Sequence, residues 1–401
     1  FGEACNGWPG AACSSHPVRY DAPAIPAAAP EDDLTIDLAH VTRGNPKLLI
    51  LQSGLHGAEA FAGAAVLQRV FQRHLDALLD AGWDVAMIHA ANPYGFRHLR
   101  RVDGNNVDLN RNFAPPTQPD FYLSRNPAYD ALRSLAEPEG PVRGVGAAST
   151  DLALRTIGIV IGRGFDSAYV ANGTHAGQWQ YPRGFEYGGK APAQQTAFWQ
   201  QAIAPLMRAH PEGVVFFDLH TGLGPANTLT IYSGQAWPEA RIAAVRRFVE
   251  PLQDRGIRFQ APAESSFQTQ GDVIDFVPSL ALGIMVTAVT LEWGTVGEDP
   301  IAELATNARM ILENQKAFHG CADAATCVAV TDNFMELFRP DTDAFRTAVI
   351  SQADAVLERF AQVGLPPQEP RQRHVPQSVL SRVFPSRPEA VNHRPQRRGP
   401  G

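Results

Sequence analysis

Histidine and carboxylate side chains lie where two apolar runs end. His56 and Glu59 are three residues apart, just after residues 47–52 (KLLILQ), and His220 follows the run 214–219. A lone His-x-x-Glu pair also occurs where a histidine is merely hydrogen-bonded, so His220 is needed for a metal prediction. Two imidazoles and one carboxylate are typical of catalytic zinc and leave one position for a water molecule, which the metal acidifies. We therefore expect His56, Glu59 and His220 to bind one zinc ion.

Two further acidic residues lie at the same strand ends. Glu292 follows the apolar run 284–291, where a buried carboxylate must face either a reactive water or an arginine. The first alternative makes Glu292 a general base. Asp218 shares the face of His220 by strand alternation, so it either supports the site or is an ordinary buried polar residue.

The segment 100–113 (RRVDGNNVDLNRNF) carries many hydrogen-bond donors. A planar guanidinium binds a carboxylate through two hydrogen bonds, so this composition favours recognition of an anion. A solvated polar loop is the alternative.

Apolar runs and amphipathic stretches alternate along the chain, which predicts an α/β fold with an open, mostly parallel or mixed twisted sheet and helices on both faces. Such sheets place their sites at the carboxyl ends of strands. Residues 92–138, rich in Asn, Pro and Arg, are expected to form long irregular loops. The predicted strands are 47–52, 84–89, 156–161, 214–219, 229–232 and 284–291, and the predicted helices are 60–79, 196–208, 239–255 and 300–318.

These motifs, in this order, resemble the zinc carboxypeptidase superfamily, which includes succinylglutamate desuccinylase and aspartoacylase. The resemblance covers about residues 47–295 and is closest to an uncharacterised bacterial branch, through GLHGAEAFAG (54–63), NPYGF (92–96), DLNRNF (108–113), DLHTGLG (218–224) and LEWGT (291–295). It implies zinc ligation by His56, Glu59 and His220, with Glu292 as general base. It also implies that Asn110 and Arg111 hold the substrate carboxylate, that Asp108 accepts a hydrogen bond from His56, and that Arg101, or else Arg100, stabilises the oxyanion.

The activity implied is hydrolysis of an amide bond next to a free carboxylate, in a peptide or in an N-acyl amino acid. Residues 265–276 lack the substrate-capping Tyr of digestive carboxypeptidases, which weakens the case for peptide trimming. The segment 177–189 either lines the substrate pocket or packs on the core, and His175 beside it is either a site residue or an ordinary core or surface histidine. An inert carboxylate-binding module is a third alternative, against which the intact Glu292 argues.

Composition sets the remaining expectations. The chain has 401 residues, 44% of them hydrophobic, and a formal net charge of −7, which favours one catalytic domain (41–363) and excludes nucleic acid as a partner. Residues 1–40 are expected to form a partly irregular lead-in and 364–401 a Pro- and Arg-rich disordered tail. No apolar run approaches the roughly 20 residues of a membrane span. Four cysteines in two local pairs are interpreted as free thiols of a cytoplasmic protein, with two short-loop disulfides of a secreted protein as the alternative.

Overall fold

One mixed sheet of eight strands organises the part of the chain that this computed structural model describes, namely residues 1–25, 30–162, 173–235, 237–264, 268–297 and 299–365. The spatial order is β1-β2-β4-β3-β5-β8-β6-β7. The strands are β1 (Ala11–Tyr20), β2 (Glu31–Val41), β3 (Lys47–Ser53), β4 (Trp83–His89), β5 (Gly213–Gly222), β6 (Leu229–Ser233), β7 (Ile257–Gln260) and β8 (Val286–Gly294).

The four central strands, β4, β3, β5 and β8, run parallel, whereas β2 pairs antiparallel with β4 and β6 antiparallel with β8. The carboxyl ends of β3, β5 and β8 therefore meet at one edge. In the register of β5 and β8, His220 lies opposite Glu292. Both side chains leave the sheet on the same face, because paired residues of neighbouring strands share a face.

Helices cover both faces, so the predicted α/β architecture with an open mixed sheet is confirmed. Alternate residues of β3 enter different cores: Leu49 and Leu51 pack on one face, Leu48 and Ile50 on the other. The helices are α1 (Gly2–Asn6), α2 (Ala60–Arg69), α3 (Leu75–Asp80), α4 (Pro93–Arg97), α5 (Pro127–Ala136), α6 (Val145–Gly162), α7 (Thr196–Phe198), α8 (Ala204–Arg208), α9 (Glu239–Val249), α10 (Val273–Phe276), α11 (Pro300–His319), α12 (Ala324–Phe338) and α13 (Asp343–Val363).

The predicted strand at 156–161 is wrong, because these residues end helix α6. Their β-branched composition suits a strand, yet Thr156 donates its hydroxyl to the Leu152 carbonyl at 2.8 Å, one helical turn earlier. Residues 92–138 are not wholly irregular, since they include α4 and α5. Strands β1 and β2 and helices α12 and α13 were not predicted.

Both cysteine pairs form disulfides, Cys5 with Cys13 and Cys321 with Cys327, so the interpretation as free thiols is wrong. The Cα atoms of the two pairs are 6.2 and 5.5 Å apart, within the ordinary range for a disulfide. The short-loop alternative is the one that the structure contains.

Helix α6 is, within the described residues, long and apolar enough to cross a membrane by length and composition alone, with a mean hydropathy of 1.3 over 18 residues. Such a single helix is weak evidence for a membrane. The predicted disordered tail from 366 onward lies outside the described residues.

Candidate metal centre

The turn after β3 brings His56 and Glu59 under the carboxyl end of β5. Gly54 has a φ of +73°, and a Cβ on Gly57 would lie 2.0 Å from the carbonyl carbon of Gly95. Both glycines are therefore required by the backbone path. The Gly57 N–H donates to the Arg101 carbonyl at 3.1 Å, which ties the turn to the donor-rich loop.

The three predicted ligands converge in the structure. The Nδ1 atom of His56 lies 2.8 Å from Oε1 of Glu59, and Nδ1 of His220 lies 2.9 Å from Oε2 of the same carboxylate. Each residue offers a ligand atom within 4.8 Å of the others, and all three side chains are at most 4% exposed. The sequence prediction of their proximity thus agrees with the geometry.

A chain of hydrogen bonds determines which nitrogen of His220 carries the proton. The indole of Trp199 can only donate, and it donates to Oε1 of Gln52 at 3.0 Å, so the Gln52 amide nitrogen faces Asp218 at 2.9 Å. Asp218 accepts that bond and, through its other oxygen, contacts Nε2 of His220 at 2.6 Å. His220 therefore donates from Nε2, so that in the neutral imidazole the lone pair lies on Nδ1, the nitrogen that faces Glu59.

Asp108 acts on His56 in the same way. Its Oδ1 lies 3.1 Å from Nε2 of His56, and its Oδ2 accepts from Nε of Arg101 at 3.0 Å. Burial raises the pKa of Asp108, but Arg101 and His56 outweigh burial and hold that pKa well below its usual value. Asp108 is therefore an acceptor, and in the neutral imidazole of His56 the lone pair also lies on Nδ1, which faces Glu59.

This donor set fits a zinc ion. Two imidazole lone pairs facing a carboxylate repel it unless a cation or a proton lies between them, and two His nitrogens with a Glu oxygen are a common zinc ligand set. Burial disfavours the charge on Glu59, yet the positive charge of protonated His56 and His220 lowers its pKa below the usual value, and a metal cation would stand in for those protons. Asp108 and Asp218 contact the two histidines as carboxylates do that orient zinc-binding histidines in other proteins.

Glu292 lies beside the three candidate ligands and is not part of that group. It lines the same cavity, and its Oε1 accepts a hydrogen bond from the Leu223 N–H at 2.9 Å. Burial, reinforced by the neighbouring charge of Glu59, raises the pKa of Glu292 to about 7. A carboxylate with this pKa can take up and release a proton near neutral pH.

The cavity has a volume of about 170 Å³ and is lined by Arg101, Asn110 and Arg111 as well as by the candidate ligands. Asn110 also accepts a hydrogen bond from the Val273 N–H at 2.9 Å, which fixes its side chain. The structure thus brings three of the four predicted anion-binding residues to the candidate metal centre.

Arg100, the fourth, is not among the residues that line the cavity. Its guanidinium is buried and donates to Glu313 at 2.9 Å and to Asn106 at 3.2 Å. The side chains of Arg100 and Arg101 point in different directions, and only Arg101 reaches the cavity. Arg100 is therefore not part of the candidate site.

Glu186 is a cavity residue that the sequence reasoning missed. One of its oxygens lies 3.3 Å from Nη2 of Arg101 and the other 2.9 Å from Nε of Arg111. The residue has a φ of +55°, which is uncommon for a side chain other than glycine or asparagine. The one indication of this role in the sequence is the position of Glu186 in the Gly-rich segment 177–189. Lining the substrate pocket was one of the two alternatives for that segment.

Asp272, Tyr232 and His175 also line the cavity. Asp272 lies 3.6 Å from Nη1 of Arg111, and burial raises its pKa to about 6. Burial together with the nearby arginines lowers the pKa of His175 to about 3, so its imidazole is neutral. Trp179, in contrast, is buried in the segment 177–189 and packs on Phe121.

Residues 11–352 match the model of a family described as "Protein of unknown function (DUF2817)". No curated protein matches the chain.

The chain is similar to three solved hydrolase structures. Carboxypeptidase A from Helicoverpa armigera is 12% identical over 83% of this chain and 71% of that one, with a TM-score of 0.45. A succinylglutamate desuccinylase from a Silicibacter species is 12% identical over 78% and 69%, with a TM-score of 0.37. A metallo-carboxypeptidase from Pseudomonas aeruginosa, bound to (2-guanidinoethylmercapto)succinic acid, is 13% identical over 88% and 67%, with a TM-score of 0.39.

Proposed function

This chain belongs to the DUF2817 family of proteins of unknown function, and we propose that it is a zinc-dependent hydrolase of the metallocarboxypeptidase type. Its substrate is an amide bond next to a free carboxylate. The observation that supports this most is the convergence of the two Nδ1 atoms of His56 and His220 on Glu59, in a cavity that Glu292 also lines.

His56, Glu59 and His220 would hold the metal. A zinc ion in that position supplies Lewis acidity, which lowers the pKa of a water molecule and polarises a carbonyl group. Asp108 and Asp218 keep the Nε2 protons of the histidines in place, so that both Nδ1 lone pairs point into the site.

Glu292 is the general base of the proposed reaction. It accepts a proton from the attacking water and passes it to the leaving amide nitrogen. Its pKa of about 7 suits both halves of this transfer, because a base with a pKa near the working pH accepts and returns a proton with little cost. The Leu223 N–H keeps the carboxylate in a fixed orientation.

Arg101 is proposed to stabilise the oxyanion that forms as water adds to the carbonyl carbon. Its Nη1 lies 3.6 Å from Oε1 of Glu59, so the guanidinium borders the ligand group. A fixed donor placed where negative charge develops lowers the barrier.

Arg111 and Asn110 are proposed to bind the substrate carboxylate. Glu186 and Asp272 hold the Arg111 guanidinium from two sides, which limits its rotamers before substrate arrives. A pre-positioned guanidinium loses less side-chain entropy on binding.

Removal and return of zinc test the proposal. The purified protein is stripped with a chelator, assayed on C-terminally free peptides and on N-acyl amino acids, and assayed again after zinc is added. Activity is expected to disappear and to return. Full activity in a verified metal-free sample contradicts the proposal.

The two substrate panels separate the peptidase from an aspartoacylase-like or desuccinylase-like deacylase, which would use the same residues. Blocking the substrate carboxylate as an amide is a matched control, and it should abolish cleavage in either case if Arg111 acts as proposed. Glu292→Gln tests the base separately. If this variant still binds substrate and loses no turnover, the site has a role that does not need Glu292 as a base.

A further inference from the structure

A second group of two histidines and one carboxylate lies at the opposite edge of the sheet. His40 lies near the end of β2, Asp84 near the start of β4, and His210 between α8 and β5. These residues each offer a ligand atom within 4.8 Å of the other two. The group is at the amino-terminal ends of β4 and β5, whereas the candidate metal centre follows the carboxyl ends of β3 and β5.

Asp84 has one acceptor position left for this group. Its Oδ1 accepts from the backbone N–H groups of Arg43 at 2.9 Å and Asn45 at 3.2 Å, and its Oδ2 accepts from the Thr42 hydroxyl. A carboxylate has about four acceptor positions, so one on Oδ2 remains. Oδ2 is the oxygen that faces His210, at 3.3 Å.

His210 presents a lone pair to that oxygen when the imidazole is neutral. Its Nδ1 lies 2.6 Å from the Leu206 carbonyl, which can only accept, so Nδ1 carries the proton. Nε2 is then unprotonated in the neutral ring and faces Oδ2 of Asp84. Zinc-binding histidines commonly donate their other N–H to a backbone carbonyl in this manner.

His40 completes the set with an atom that lacks a partner. Its Nε2 is buried and makes no hydrogen bond among the described residues. The His40 ring meets the His210 ring edge to face at a centroid distance of 6.0 Å. An unpaired buried nitrogen is costly, and a cation between the three residues would remove that cost.

We propose that His40, Asp84 and His210 form a second zinc site, which cross-links β2, β4 and the segment before β5. Donor atoms around a tetrahedral zinc with bonds of about 2.0–2.2 Å are roughly 3.3–3.5 Å apart, and the 3.3 Å between His210 and Asp84 already has that value. Two imidazole nitrogens and one carboxylate oxygen favour zinc over calcium or magnesium, which prefer oxygen ligands. Because the three residues come from three different segments of the fold, we assign this site a structural role, with water as the fourth zinc ligand.

Zinc binding to chelator-stripped full-length protein tests the site, with a chromophoric zinc chelator as competitor. Wild type should take up about two equivalents, and His40→Gln/His210→Gln about one. His74→Gln is the matched control, because His74 is another buried histidine on a carboxylate, with Nε2 2.6 Å from Asp354, but it belongs to neither group. That control should keep about two equivalents.

A His56→Gln/His220→Gln variant separates this inference from the proposed function. It should still bind about one equivalent, and zinc should still raise its unfolding temperature. If His40→Gln/His210→Gln fails to fold, zinc uptake and the unfolding temperature of the His56→Gln/His220→Gln variant still test the second site. No zinc uptake by the folded His56→Gln/His220→Gln variant, or two equivalents retained by His40→Gln/His210→Gln, would overturn the second site.

Discussion

Asp218→Asn should weaken zinc binding at the candidate metal centre without unfolding the protein. Asp218 accepts two hydrogen bonds, one from the Gln52 amide at 2.9 Å and one from His220 Nε2 at 2.6 Å. An asparagine has one accepting oxygen and one donating nitrogen, so one of the two neighbours must face a donor.

Neither orientation of the new amide preserves the site. If its oxygen faces His220, its nitrogen meets the Gln52 nitrogen, and Gln52 cannot flip without losing the bond from Trp199. If its nitrogen faces His220, the imidazole must protonate Nδ1, which removes the lone pair that would bind zinc. One buried hydrogen bond left unmade costs about 1–3 kcal/mol.

The expected loss of zinc affinity is about 10- to 100-fold, which is usual when the partner of a zinc-binding histidine is removed. Affinity is measured by competition with a chromophoric chelator, and circular dichroism of the metal-free variant checks the fold. Zinc binding as tight as in wild type would refute the hydrogen-bond chain as the determinant of the His220 proton.

A second substitution should restore the chain. In Gln52→Glu/Asp218→Asn, the new carboxylate accepts from both Trp199 and the asparagine nitrogen, whose oxygen then accepts from His220. The total charge is that of the wild type. The double variant should therefore regain most of the lost affinity, whereas no recovery would show that Asp218 acts through its charge alone.

Three other substitutions, one of them paired with a control substitution, test separate parts of the molecule. Glu292→Gln should keep its zinc and lose turnover by about 10²- to 10⁴-fold, measured as kcat beside the metal content, and full turnover would remove Glu292 as the base. Gly57→Ala should lower the free energy of unfolding by at least about 1–3 kcal/mol in urea titrations, because its Cβ would lie 2.0 Å from the Gly95 carbonyl carbon. Gly146→Ala, with nothing within 4 Å of the added Cβ, is its control and should not destabilise. Burial raises the pKa of Asp354, but neighbouring cations bring it to about 2, so its contribution to stability is present above about pH 4 and is lost as the pH falls towards 2. The stability gap between wild type and Asp354→Asn should therefore narrow from pH 5 to pH 3, and a constant gap would contradict this.

The position of the candidate site could be predicted from the sequence because its residues lie at strand ends. His56, His220 and Glu292 each follow an apolar run, and the carboxyl ends of parallel strands meet at one edge of a sheet. Asp108 was reached through the resemblance of its motif, and Asp218 through strand alternation.

Residues on loops and on poorly periodic segments could not be predicted in this way. Glu186 reaches the cavity through a backbone with positive φ inside a Gly-rich segment, for which no periodicity exists to indicate direction. Arg100 and Arg101 are neighbours whose side chains leave the loop towards different partners, Glu313 and Asp108. Local sequence does not distinguish them.

The strand predicted at 156–161 shows the limit of propensity. Its β-branched residues favour a strand, but they form the end of one continuous helix of 18 residues that begins at Val145. Because a run of this length is typical of a helix and not of a strand, the length of the whole segment outweighs the local propensity. The disulfides were the less favoured of two alternatives for another reason, since base rates for large, cysteine-poor chains favour thiols and pairing depends on spatial proximity.

A crystal structure of the protein grown with zinc, with data collected on both sides of the zinc absorption edge, shows directly whether His56, Glu59 and His220 bind the metal. We expect an anomalous peak about 2.0–2.2 Å from Nδ1 of His56, Nδ1 of His220 and an oxygen of Glu59. The same map with both imidazoles well ordered and no peak between them would contradict it.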